Sequence, residues 1–94
     1  MPDELKLIQD RAEGMRAGQL LRDEMVQAAF RALEADYLKV WAATTHDEWR
    51  TRETMWRAIQ ILGDVQSHLM TLINNGQIAD KELAILAQKS TRTA

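Results

Sequence analysis

Beyond residue 2 the chain contains no proline, and this absence does most to limit the folds open to it. The only proline is Pro2, and four glycines are the only other strong helix breakers in 94 residues. Apolar residues recur in steps of three and four, which is the spacing of one face of a helix. The sequence therefore predicts an all-α fold.

The first predicted break lies at a pair of glycines. Gly14 and Gly18 are separated by only three residues, and glycines this close are expected to break or kink a helix. We therefore predict a first helix over residues 3–15 and a second over residues 19–43. The second helix carries apolar residues in alternating steps of four and three, a heptad seam typical of coiled coils, at Val26, Phe30, Leu33, Tyr37 and Val40.

The main break is predicted just after the second helix. Thr45 followed three residues later by Glu48 has the pattern of a capping box, so a third helix is expected over residues 46–74. Asn74, Asn75 and Gly76 are expected to end it, because glycine commonly ends a helix in the left-handed conformation. A short fourth helix is then expected over residues 79–88.

These elements predict a single helical domain over residues 1–94. The connection between the second and third helices is only about three residues long, and connections this short join antiparallel neighbours. We expect an antiparallel hairpin of two long helices with a short helix at each end. Residues 89–94 have the composition of a frayed polar tail.

The third helix carries an apolar arc wider than half its circumference. An ordinary surface helix needs an arc not much wider than about 100°, so one partner helix cannot cover this one. The excess predicts a homo-oligomer, or an adaptor whose apolar face binds another protein; a compact monomer closed by its terminal helices is the alternative. The interface residues expected are Met55, Trp56, Ile59, Leu62, Val65, Leu69, Leu72 and Ile73.

Three tryptophans flank the predicted turn between the second and third helices. Trp41 precedes the turn, while Trp49 and Trp56 follow it. A hairpin brings Trp41 and Trp49 to the same end of the molecule. The cluster is interpreted as an aromatic plug that holds the turn, with an anchor for a protein partner as the alternative, because tryptophan is enriched at binding hot spots.

Composition argues against several functions. There is no cysteine, and His46 and His68 have no spacing suited to a metal, so no catalytic residue, cofactor or metal ligand is expected. The residues around the first helix show no signal-peptide pattern, and no apolar run is long enough for a membrane span. We expect a non-enzymatic protein that acts in the cytoplasm or in a particle assembled there.

Nucleic-acid binding has a weak candidate in three arginines. Arg50, Arg52 and Arg57 lie on or near one face of the third helix. Glu48 and Glu53 are placed to offset part of their charge, and the net charge of the chain is −2. A DNA-binding regulator therefore remains a secondary alternative, in which these arginines make the contacts.

Several helical segments spread over more than half of the chain form one pattern: residues 30–37 (FRALEADY), 52–56 (RETMW), 68–69 (HL), Gly76 and 79–83 (ADKEL). In these segments the chain resembles small α-helical proteins of tailed bacteriophages and prophages. The resemblance implies a viral protein in virion assembly: a DNA-packaging factor similar to small terminase subunits, or a minor virion component, with other phage assembly proteins as partners. Small terminases often oligomerise through a hairpin of two long helices. The resemblance carries no active-site residue.

Overall fold

A computed structural model describes residues 3–92 and shows three helices. They are α1 (Glu4–Arg22), α2 (Glu24–Ala43) and α3 (Trp49–Arg92), and residues 3–92 contain no strand, which confirms the all-α prediction. The described residues form two compact units: a terminal unit of residues 3–20 and 68–92, and a central unit of residues 21–67. Helix α3 contributes its first part to the central unit and the rest to the terminal unit.

Each helix begins next to an acidic residue. Asp3 and Asp23 immediately precede α1 and α2, and Glu48 immediately precedes α3. The Asp23 carboxylate accepts hydrogen bonds from the backbone N–H groups of Met25 and Val26, as an N-cap residue does. Carboxylates at these positions also interact favourably with the positive end of the helix dipole.

The predicted break at the first two glycines is wrong. Helix α1 runs without interruption through Gly14 and Gly18, and the chain breaks instead at Asp23. Both glycines are buried, together with Ala17. Because glycine has no Cβ, it can end a helix, and it can also let another helix approach closely. Here both glycines lie inside α1, where they allow a close approach.

The predicted break before the fourth helix is wrong for the same reason. Helix α3 continues through residues 74–78 to Arg92, so the third and fourth predicted helices are one. Gly76 is buried and its φ is negative, unlike a left-handed helix terminus. Residues 89–92 of the predicted polar tail are helical, whereas Thr93 and Ala94 lie outside the described residues.

The terminal unit is held by close contact between α1 and α3. A Cβ atom built on Gly14 would lie 2.8 Å from the Gly76 Cα and from the Leu72 backbone oxygen. A Cβ on Gly76 would lie 3.0 Å from the Asp10 backbone oxygen. Residues later in α3 contact residues earlier in α1, so these two segments run antiparallel. The buried residues around this crossing are Leu7, Gly14, Ala17, Gly18, Gly76 and Ala79.

The connection between α2 and α3 is longer than predicted, because α3 begins at Trp49 and not at residue 46. The backbone N–H of Thr45 and its hydroxyl both donate to Glu48 Oε1, at 3.1 and 3.0 Å. The Glu48 backbone N–H donates to the Thr45 carbonyl oxygen and closes a turn. The predicted Thr45–Glu48 pair is therefore present, and it stabilises a turn ahead of the helix.

The central unit has no closed core. Within residues 21–67, all of which the structure describes, no residue is buried. The apolar stripes of α2 and α3 are only half-buried at positions such as Phe30, Tyr37 and Leu62. Among the described residues, no helix combines the length and the hydropathy needed to cross a membrane.

Candidate functional site

The predicted interface residues all lie on α3, and none of them is buried. Trp56 and Val65 are 52% and 44% exposed. The other six, which a single chain covers only in part, are Met55, Ile59, Leu62, Leu69, Leu72 and Ile73. Complete burial of apolar side chains is the largest favourable contribution to folding, so this stripe gains stability if further protein covers it.

Large apolar side chains are exposed on both helices of the central unit. On α3, Ile61 is 60% exposed and follows the half-buried stripe on one side. On α2, Leu33 and Val40 belong to the predicted heptad seam and are nevertheless exposed. Isolated apolar residues on a surface are ordinary, but several on neighbouring turns of a helix favour an interaction site.

The end of α2 and the start of α3 are joined through Arg52. Its guanidinium lies 4.3 Å from the centre of the Trp41 ring, in a cation–π contact, and Nη1 donates to Thr44 Oγ1 at 3.0 Å. The Thr44 hydroxyl in turn donates to the Trp41 carbonyl oxygen at 2.6 Å. Trp41 is half-buried by these contacts, which fits its predicted role in holding the turn.

The three tryptophans line one open cavity of ≈ 550 Å³. Its other lining residues are His46, Arg52 and Glu53. Trp49 and Trp56 remain 59% and 52% exposed, and of the three tryptophans only Trp41 is half-buried. The cavity combines three indole rings with one basic and one acidic side chain, so it presents an apolar wall with polar groups beside it.

The Thr45–Glu48 pair makes the turn sensitive to acid. The hydrogen bond from the Thr45 backbone N–H, and then that from its hydroxyl, hold the pKa of Glu48 below its ordinary value of 4.5. A carboxyl whose pKa is lower in the folded state stabilises that state when ionised. This contribution is complete above the unfolded pKa and is lost as the pH falls through the folded one.

We therefore expect the melting temperature of the protein to fall as the pH is lowered below 4.5, and to fall less in Glu48→Gln. The glutamine keeps an oxygen acceptor for Thr45 but does not titrate. Thermal unfolding followed by circular dichroism from pH 7 to pH 3 measures both curves. Identical acid dependence in the two proteins would contradict a role for Glu48 in this turn.

The three arginines considered for nucleic-acid contact have different surroundings. Arg52 is engaged with Trp41 and Thr44, as described above. Arg57 forms an ion pair with Glu53 at 3.1 Å, and Arg50 lies 5.2 Å from the centre of the Trp49 ring. The structure does not bring them together as one set of unpaired cations, and their contact with DNA stays a prediction.

Sequence reasoning missed Gly63, an interior glycine of α3. A Cβ built on Gly63 would have no atom within 4 Å outside its own turn of helix. The signal was available, because glycine inside an apolar helical pattern indicates either a cost in stability or a close contact.

Among the described residues, no group of three or more His, Cys, Asp or Glu side chains is arranged to hold a metal ion.

No protein-family model, curated protein or solved structure matches this chain.

Proposed function

We propose that the protein is a non-enzymatic, self-assembling helical protein in which α2 and the first part of α3 form the oligomer. The observation that carries the proposal is the absence of any buried residue in the central unit, residues 21–67, all of which the structure describes. Apolar stripes on both helices lie half-buried or exposed there. Assembly of several copies completes the burial that one chain begins.

In this proposal α2 and the start of α3 form an antiparallel hairpin. The connection of five residues, 44–48, is short for anything but neighbouring antiparallel helices. The contact between Arg52 and Trp41 holds the two helices together next to the turn. Half-buried residues then follow along both helices at helical spacing, as at Tyr37 and Phe30 on α2 and at Met55 and Leu62 on α3.

We propose that the protein acts in virion assembly of a tailed phage, either in DNA packaging or as a minor component of the virion. It rests on the sequence resemblance, and an oligomer built on a helical hairpin agrees with what that resemblance implies. Other phage assembly proteins are the expected partners. The site of action is then the cytoplasm of the host cell or the virion itself.

Light scattering of the purified protein across a range of concentrations tests the proposal. We expect a mass that is a whole multiple of 10.8 kDa and that persists on dilution, because separation of the copies would return apolar side chains of both helices to water. A mass equal to one chain at high concentration would overturn self-assembly.

The tryptophan cavity favours a second candidate function, an adaptor that binds a different protein. Trp49 and Trp56 are exposed beside a basic side chain, and exposed tryptophan pairs are typical of binding hot spots. A monomeric mass in the same experiment would favour this candidate. A closed oligomer in which tryptophan fluorescence shows the indoles to be shielded from a soluble quencher would count against it.

A further inference from the structure

Glycines inside the helices of this chain occur in two environments. Gly14 and Gly76 face each other across the α1–α3 crossing, where an added Cβ would lie 2.8 or 2.9 Å from the other glycine's Cα. Gly63 lies inside α3 with open space where its Cβ would be. At the first two positions the lack of a side chain is explained by a helix in contact. At Gly63 the single chain offers no such explanation.

A glycine in open space is unfavourable for a helix. It weakens a helix interior relative to alanine, because the unfolded chain has more conformations to lose and the folded one gains no contact in return. Gly63 is the fifteenth residue of a continuous helix of 44 residues, where no turn or helix end requires it. A second helix that approaches Gly63 closely would remove this disadvantage.

The surroundings of Gly63 on α3 suit contact with an identical surface. An isologous interface brings the same face of two copies together, so charged residues of one sign on that face would repel each other. In a chain with 28% charged residues, the nearest helical neighbours of Gly63, three, four and seven residues away in the central unit, are uncharged: Trp56, Ile59, Gln60, Gln66 and Ser67.

The exposed tryptophan near Gly63 also favours a second copy, because burial of its ring would stabilise an assembly. Trp56, two turns before Gly63, is 52% exposed, and its ring provides a large apolar area beside the proposed point of contact. Without a Cβ, a glycine lets the backbone of another helix approach closely.

We propose that Gly63 is the point at which α3 of one copy crosses a helix of a second copy, with Trp56 beside the crossing. This inference rests on the proposed self-assembly and specifies which face of α3 takes part. The crossing is of the kind that joins α1 and α3 within the chain, where glycines let two helices come close enough for backbone contact.

Replacement of Gly63 by alanine tests the inference, because the two alternatives predict opposite signs. If a second helix contacts Gly63, Gly63→Ala and more strongly Gly63→Leu raise the dissociation constant of the oligomer, by about tenfold or more. If the position faces water, alanine only favours the helix, and assembly is unchanged or tighter. Asp64→Ala is the matched control, since residue 64 points about 100° away on the same helix.

Sedimentation velocity of the wild-type protein and the three variants, with circular dichroism as a check on helix content, gives the result. Weaker assembly in both Gly63 variants, with normal assembly in Asp64→Ala and full helix content throughout, is the expected outcome. An assembled wild type with unchanged Gly63 variants, or with variants that lose helix, would overturn the Gly63 contact and leave self-assembly standing. A monomeric wild type would overturn the proposed function itself.

Discussion

Gly14→Leu is expected to separate α1 from α3 and to lower the stability of the protein by about 3 kcal/mol or more. A single Cβ at Gly14 already comes within 2.8 Å of two backbone atoms, the Gly76 Cα and the Leu72 oxygen. Backbone cannot move aside as a flexible side chain can, so the helices themselves must move apart. Thermal unfolding by circular dichroism, and amide hydrogen exchange along α1, measure the loss.

Glu13→Leu is the matched control for this substitution. Residue 13 precedes Gly14 on the same helix but is exposed, so the same leucine meets no backbone there and its effect should stay within about 0.5 kcal/mol. Equal melting temperatures for Gly14→Leu and the wild type would show that α1 and α3 do not approach closely in solution.

Leu62→Glu is expected to have the second large effect, a loss of assembly together with a destabilisation of about 2–4 kcal/mol. Leu62 lies in the half-buried stripe of α3, between Ile59 and Val65. In an oligomer this stripe becomes fully covered, and a carboxylate without a partner is costly in a covered apolar surface. Light scattering and thermal unfolding on the same samples report the two losses.

Leu62→Met separates the effect of charge from that of shape. Methionine has nearly the volume of leucine, so this variant should keep the wild-type mass and lose less than about 1.5 kcal/mol. Unchanged mass and melting in Leu62→Glu would mean that the stripe containing Leu62 is not the buried face of α3.

The sequence determines that the protein is helical, because a chain without internal proline and with apolar residues in steps of three and four has few other ways to bury them. It also indicates where the helices begin. Asp3, Asp23 and Glu48 precede the three helices. The carboxylates of Asp3 and Asp23 accept hydrogen bonds from N–H groups of the first turn that follows, and the charge of Glu48 lies next to the positive end of the α3 dipole. Asp23 is such an acidic residue at the start of a helix, although the break was predicted at Gly14 and Gly18.

For the candidate site, the sequence predicted which residues share a face of α3 but not how exposed they are. Helical periodicity identifies which residues share the apolar face of α3, and Met55, Ile59 and Leu62 do lie half-buried along it. Periodicity does not say how much of that face the rest of the chain covers. The exposed fractions of Trp56 and Val65, and the open space at Gly63, depend on which other residues pack against this part of α3.

The glycines show most clearly what only the tertiary structure decided. Gly14 and Gly76 were predicted to interrupt helices, and both lie inside helices at a point of close contact. The absence of a Cβ has two uses: it permits the backbone to leave the helix, and it permits another backbone to come near. The first depends on the local chain and the second on a partner distant in sequence. The local pattern therefore established the all-α class, while the packing of distant segments determined where helices end and which apolar surface stays open.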